Sequence, residues 1–363
     1  MIIGGDGARV STDDRAPNRV LIPPMAEAPT QPPSDIIWMM DGQTMGTTWS
    51  ARVIAPPGTD KTSVQAAIQA ELDAVVAVFS PWEADSEISR FNAAPAGVWA
   101  MSAEFWTVLD AAMDIADDTN GAVDPTLGAL VDLWGFGPAG RRPAEAPLPS
   151  EAEIEAAQAL SGWQSLRLNR DTRAAMQKGG MALDFSGIAK GHAVDRVSDL
   201  LTGMGATSHL VEIGGELRGR GVKPDGEPWW VEIEQPPASP APRTLMALVD
   251  VAMATSGDYR RTFSHDGRRY SHTLDGRTGR PIDNGLASVT VVHPSAMKAD
   301  AFATALTVMG PLEGPEFAAV YNLAAHFVAR TPTGPVEMMS PLFAAMLVDD
   351  EGAGADQEPA TLQ

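Results

Sequence analysis

An α+β fold, with mixed and antiparallel sheets flanked by helices, is the architecture this sequence predicts. Three observations lead to it. Apolar residues recur at helical spacing in several stretches of the first half, and the second half turns to short segments with the two-residue alternation of strands. The two kinds of segment mix without the regular strand–helix alternation of a doubly wound sheet. Material for a core is ample, because 44% of the 363 residues are hydrophobic, with 9 Trp and 10 Phe; wholesale disorder is thereby excluded. Length alone allows about two domains or one large one, and no sharp internal boundary is visible.

Taken in order, residues 1–35 are rich in Pro, Gly, Asp and Ala, with five prolines between Pro23 and Pro33, and read as irregular. Residues 48–54 put Trp49, Ala51 and Val53 on one side, as a strand does. Residues 61–79 carry Val64, Ile68, Leu72, Val75 and Val76 at helical spacing, and Pro81 stops that helix. Ser102 reads as the N-cap of a helix striped with Phe105, Leu109, Ala112, Met113 and Ala116, which Asn120-Gly121 ends. Residues 139–149 form a proline-rich loop, after which Ser150 and Glu153 spell a capping box for a helix to about Leu160. Strands are expected at 181–185, 209–213, 229–234, 246–253 and 286–293, and a helix at 298–309 ending at Gly310. Residues 349–363 make an acidic, flexible tail.

Lys plus Arg number 26 and Asp plus Glu 47, a net charge of −21. So acidic a chain does not bind nucleic acid or an anionic membrane through its overall field. A polyanionic ligand needs local help, from a cation or from backbone N–H groups. The absence of Cys excludes disulfides, thiolate zinc, iron–sulfur clusters, a Cys nucleophile and a lipid-modified Cys. No apolar run approaches ~18 residues, so no membrane span is expected. The opening MIIGGDGARV lacks the basic start and apolar stretch of a signal peptide.

Several familiar motifs fail. Gly135, Gly137 and Gly140 spell G-x-G-x-x-G, but Pro138 and the Arg-Arg-Pro that follows prevent a helix from opening there. No phosphate-binding G-x-x-x-x-G-K-[ST] or nucleophile-elbow G-x-S-x-G is present, and the 6 His are scattered without zinc spacing. Others survive. Asp300 and Thr304 lie i, i+4 on one helix face, with Phe302, Leu306 and Met309 expected on the opposite, packing face. A carboxylate and a hydroxyl stacked this way suit Mg²⁺, which prefers oxygen ligands; they equally suit an Asp near a helix N-terminus and a Thr bonded back to its own helix. The run from Leu183 to Asp195, LDFSGIAKGHAVD, reads as a strand, a tight Gly turn and a helix. Its exposed N–H groups suit a phosphate, a carbonyl can face a metal, and Lys190 adds charge; an ordinary strand–helix connection is the plain alternative. Gly214-Gly215, the ATSGDYRR stretch from Ala254 to Arg261, and the turn-rich stretch from Ser271 to Pro281 with His272 add three further ligand-like or hairpin loops.

Together these segments resemble the ApbE family, the FAD:protein FMN transferases. The matching motifs run in order through roughly residues 36–348: MGTT from Met45, DSEISRFN from Asp85, DPT from Asp124, LVDLWGFG from Leu130, Ser186 to Asp195, Ile213 to Glu216, Ala254 to Arg260, His272 to Pro281, and ADAFATAL from Ala299. The resemblance implies one domain over 36–348 with the flavin in a central cleft. It implies Mg²⁺ held by the Ala189 carbonyl and the Asp300 and Thr304 side chains. It also implies FAD contacts at Met45, Trp82, Ala122, Val123, Asp124, Ser186 and His192, and near Thr273 and Leu274. Trp82 fits an aromatic platform for a flat ring, or a core or lid aromatic.

The activity so implied moves FMN from FAD onto a Thr hydroxyl in a short motif of a partner redox protein. The hydroxyl attacks the FMN-side phosphorus and AMP leaves. His272 is the candidate for the proton, with an expected pKa near neutrality; orienting Asp275 or the phosphate is its alternative role. Two other readings stay open: a Mg²⁺-dependent FAD pyrophosphatase, and a non-enzymatic FAD-binding protein. This sequence departs from the usual family pattern at Asp275-Gly276, where Asp-Pro is usual, at Gly214-Gly215-Glu216, where Gly-Gly-Asp is usual, and at His192, where another aromatic is common. Many relatives are exported lipoproteins, so the compartment stays open between export and the cytoplasm.

Overall fold

The computed structural model describes residues 19–24, 29, 31–143, 145–237 and 242–348; the acidic tail and most of 1–35 lie outside them. Eight strands form one antiparallel sheet, in the order Gly334–Met339, Ala324–Thr331, Leu286–His293, Val251–Gly257, Glu216–Arg220, Ser208–Ile213, Thr47–Ile54 and Trp38–Thr44. Leu286–His293, buried along almost all its length and rich in Val and Thr, is an interior strand covered on both faces. A mixed four-stranded sheet packs beside it: Leu347–Val348, Arg19–Leu21, Thr244–Leu248 and Trp229–Glu232. Arg19–Leu21 runs parallel to Thr244–Leu248, so the proline-rich leader contributes one strand.

Helices cover the other face. Lys61–Phe79 occupies the predicted span; the Asp60 carboxylate accepts the Ser63 N–H at 2.8 Å and caps it. Ser102 caps Ala103–Asp118, and Asn120 and Gly121, both at positive φ, end it. The Ser150–Glu153 capping box opens Glu151–Leu160. The helices Ala189–Gly203 and Ala296–Val320 cross one another against the sheet and carry the candidate site. No helix among the described residues is long and apolar enough to cross a membrane.

Three expectations change in detail. The strand at 246–253 is two strands, Thr244–Leu248 and Val251–Gly257, because Asp250 adopts φ 55° and turns the chain. Residues 181–185 are extended but touch a neighbour only through the Leu127–Ala182 bridge, because their carbonyls and N–H groups are taken by side chains and loops such as Asn92. The helix expected at 298–309 begins at Ala296 and does break at Gly310 (φ 83°), but Pro311 starts a second helical stretch that continues to Val320.

Candidate active site

The Phe185 carbonyl accepts the N–H groups of Ile188 at 3.0 Å and Ala189 at 2.8 Å, which tightens 186–188 into the turn that launches Ala189–Gly203. Asp184 holds that turn through the Ser186 N–H at 2.9 Å and hydroxyl at 3.1 Å. Burial raises the Asp184 pKa, and the charge of Asp132 adds to the rise.

Ala296–Val320 lies directly against this turn. Asp300 Oδ2 accepts the Gly191 N–H at 3.0 Å. Two glycines permit the approach: a Cβ on Gly191 would stand 2.8 Å from Asp300 Cβ, and one on Gly187 would stand 2.9 Å from Thr304 Oγ1. The Thr304 hydroxyl also lies 3.3 Å from the Ser256 hydroxyl, on the central strand. Asp300, Thr304 and the turn containing Ala189 are therefore neighbours. The Asp300 face was expected to lie away from packing; instead Asp300 is 3% exposed, because this helix is buried nearly all round, Phe302, Leu306 and Met309 included.

The electrostatics here are unbalanced toward negative. Lys190 forms an ion pair with Glu216, itself 1% exposed. Burial pushes Glu216 up to about 7, with the Asp300 charge adding and Lys190 opposing. Burial likewise raises Asp300, against the pull of Lys190 and the Gly191 N–H. Two buried carboxylates thus share one lysine, and Glu216 Oε2 is buried with no hydrogen-bond partner among the described residues. That surplus, beside the Thr304 and Ser256 hydroxyls and the turn carbonyls, is a donor set a hard divalent cation fits. Among the described residues no three His, Asp or Glu side chains gather at one point, so a metal here would rest on mixed donors.

Above the turn, Arg260 donates to the Gly214 carbonyl at 2.6 Å and pairs with Glu234, which also accepts the Tyr259 hydroxyl at 2.7 Å. His272 lies opposite Arg261; its Nδ1 is 3.1 Å from the Arg261 carbonyl, so Nδ1–H donates there and the Nε2 lone pair is left free. Burial, assisted by Arg261, Lys190 and Arg260, lowers His272 to about 4. The pKa near neutrality that a free imidazole suggested is corrected downward, although the ring is only half-buried and solvent moderates the shift.

The other predicted contacts are placed unevenly. Met45 sits at φ 48° in the Met45-Gly46 turn and leans on the core, a left-handed position most side chains avoid. Trp82 is 54% exposed, free to stack on a ligand. The Ala122, Val123 and Asp124 loop is tied to the Gly turn through the Asp184 N–H and the Pro125 carbonyl at 2.9 Å. Asp124 itself is occupied, accepting from the Thr126 N–H at 2.8 Å, the Thr126 hydroxyl at 2.6 Å and the Trp163 N–H at 3.2 Å. Ser186 is exposed at the turn. Thr273 is half-buried and takes a 3.0 Å bond from the Ile282 N–H on its carbonyl, whereas the Leu274 side chain is packed with Leu127, Leu130 and Trp134. His192 is buried; its Nε2 meets Glu104 at 2.6 Å, and its ring packs on Phe79. Glu104 and Glu234 were not singled out from sequence, since a lone Glu on a helix or strand carries no pattern; Gly191, four residues after Gly187, was a legible signal of close helix approach.

The ApbE family model matches residues 45–327. A Klebsiella pneumoniae protein named FAD:protein FMN transferase is 36% identical over 326 residues, covering 88% of this chain and 92% of the relative. A Vibrio cholerae protein of the same name is 39% identical over 313 residues, covering 85% and 92%. The crystal structure of Pseudomonas stutzeri flavinyl transferase ApbE, apo form, superposes with a TM-score of 0.79 at 39% identity, covering 88% of this chain and 98% of that one. Since the match runs from the Met45 turn through the Gly turn and the Asp300 helix into the strand that holds Phe327, the chain belongs to the ApbE family.

Proposed function

We propose that this chain is a flavin transferase that moves FMN from FAD onto a Thr hydroxyl of an acceptor flavoprotein and releases AMP. The observation that carries the reading is the crossing of the Asp300 helix over the Gly turn, with the His272 hairpin above it, in a chain whose relatives bear the name FAD:protein FMN transferase. Asp300, Thr304 and the Ala189 carbonyl are the groups that would hold Mg²⁺. Bound there, the ion would offset the buried carboxylate charge and draw charge from a diphosphate.

The chain's own groups supply the rest. At the Gly turn the Gly187 N–H offers a donor to a phosphate oxygen, while the Gly214 and Gly215 N–H groups are taken by the Thr48 carbonyl at 3.2 Å and the Glu212 carboxylate at 2.8 Å. Neutral His272 accepts the acceptor hydroxyl's proton at Nε2, its ring held by the Arg261 carbonyl. An anionic diphosphate opposes the three cations that depress His272, which moves its pKa upward when substrate is present. Exposed Trp82 provides an apolar face for a flat ring.

The test is incubation with FAD, Mg²⁺ and a Thr-containing acceptor domain, then a denaturing gel. Flavin fluorescence that stays on the acceptor band, with one AMP per flavin and loss of both under a chelator, is the expected result. Free FMN and AMP without a labelled band would make the chain a pyrophosphatase, and tight FAD binding without turnover would make it a binding protein.

A further inference from the structure

We propose that Arg261 is a further catalytic residue of this site, donating to the phosphoryl oxygens of the group in transit and carrying the negative charge that gathers there. The inference rests on the transferase reading above.

The placement comes from strand register. In the hairpin, Thr262 pairs with Ser271 and Phe263 with Tyr270, so Arg261 and His272 stand opposite one another. Both the N–H and Nδ1 of His272 lie 3.1 Å from the Arg261 carbonyl. Opposed residues of an antiparallel pair send their side chains to the same face, with Cβ atoms ~5 Å apart. Arg261 therefore leaves the ribbon on the side of the imidazole. Its charge acts both on His272 in the hairpin and on Asp184 at the Gly turn, so the guanidinium lies within electrostatic reach of both. The ribbon is stiff: Phe263 stacks on Tyr270 at 5.0 Å, Tyr270 on Trp134 at 5.9 Å, and Phe136 packs on Phe263 at 5.6 Å.

Engagement of the other cations completes the case. Lys190 is taken by Glu216, and Arg260 by Glu234 and the Gly214 carbonyl. Arg261 is exposed, and its guanidinium makes no hydrogen bond or ion pair among the described residues. A chain of net charge −21 that handles a diphosphate thus keeps one unengaged guanidinium beside its proton acceptor. In the step itself the acceptor oxygen bonds to the FMN-side phosphorus as that phosphorus releases the oxygen bridging to AMP. The bonding pair leaves with AMP, the hydroxyl proton passes to His272 Nε2, and the non-bridging oxygens concentrate charge against which a planar, bidentate donor is well matched.

The experiment compares wild type, R261Q and R261K. It measures FAD affinity by flavin fluorescence quenching, transfer rate at saturating FAD across acceptor concentrations, and the thermal midpoint. R261Q should lower the saturated rate by ~10²-fold or more, the scale of losing one charge-stabilising donor, while FAD affinity, acceptor KM and thermal midpoint hold. R261K should recover part of the rate. A raised acceptor KM at normal saturated rate would overturn the proposal and make Arg261 a docking residue. Loss of FAD affinity in proportion to rate would make it a ground-state ligand, and an unchanged rate would remove it from the chemistry. A wild type that labels no acceptor sinks the transferase reading instead, before any variant is compared.

Discussion

Replacing Gly191 by Ala probes the helix crossing that the whole site depends on. The added Cβ would sit 2.8 Å from Asp300 Cβ and closer still to the Ala296 carbonyl oxygen. Neither is the far end of a flexible side chain, so the helices must separate. Overpacking of this kind costs about 1–3 kcal/mol. Separation also weakens the 3.0 Å bond from the Gly191 N–H to Asp300, worth about 1.5–3 kcal/mol when the acceptor is charged. Ala recovers up to about 1 kcal/mol of helix propensity over Gly. The net expectation is a loss of about 2–4 kcal/mol, together with a fall in flavin-transfer activity as Asp300 shifts. Urea unfolding followed by Trp fluorescence measures the first and covalent flavin transfer the second. Gly203→Ala is the control, since a Cβ there meets nothing within 4 Å in the same helix. Should Gly191→Ala unfold no earlier than Gly203→Ala and keep its activity, the tight crossing is refuted.

Asp300→Asn keeps the shape and relieves one of two buried like charges, so the thermal midpoint should hold while the response of activity and of the midpoint to Mg²⁺ disappears; a variant still stabilised by Mg²⁺ would place the ion elsewhere. His272→Ala should keep FAD affinity within a few-fold and lower the transfer rate by about 10²–10⁴, and because the wild-type ring is depressed to about 4, the FAD-limited rate should be flat from pH 6 to 8 as far as this group is concerned; a His272-dependent limb centred near 6.5 would contradict that environment. His209, fully buried with Ser198 Oγ at 2.8 Å and the Ala206 carbonyl at 2.8 Å, is lowered to about 4 mainly by burial. Between pH 6.5 and 4 the unfolded chain binds a proton there that the native chain refuses, so stability falls as pH falls, by up to about 3 kcal/mol from this group; comparing the pH slope of unfolding in His209→Gln with wild type isolates it, and equal slopes would refute the assignment.

Legibility in the sequence followed the locality of the signal. The helix Lys61–Phe79 and the strand Leu286–His293 occupy their predicted spans because apolar spacing, caps and flanking breakers all agree there. The 246–253 run misled because both halves are apolar and the turning residue is Asp250, whose left-handed φ no pattern announces. The Asp300–Thr304 pair and the Gly turn were each visible alone, and i, i+4 spacing gave their geometry; that they meet across 109 residues, through Gly191, is a tertiary fact. The partners of His192 were likewise unreadable from its motif, since the packing of three helices sets it against Glu104 and Phe79. The depression of His272 was invisible for the same reason, since it comes mainly from burial, with Arg261, Lys190 and Arg260 adding to it, and both are tertiary facts.

Sheet order explains why these segments converge at one end. Thr47–Ile54, Ser208–Ile213, Glu216–Arg220 and Val251–Gly257 are successive neighbours. The register pairs Trp49 with Ile213, Ile213 with Glu216, and Met253 with Leu217. The Met45-Gly46 turn, the Gly214-Gly215 turn and the Ser256-Gly257 strand end must therefore fall along the same edge of the sheet. A Cβ on Gly214 would already stand 3.0 Å from Thr47 Cγ2, so the glycines let these corners close ranks rather than splay. The Ala189 and Asp300 helices cross beneath that edge, and the His272 hairpin leaves it just beyond Arg260. A strongly acidic chain can hold an anion only where a few cations are gathered, and antiparallel register gathers them here: Lys190, Arg260 and Arg261 arrive from the two segments that enter this end. The same crowding leaves Glu216 and Asp300 sharing a single lysine. The buried carboxylates below the edge and the cations above it are thus two consequences of one topology.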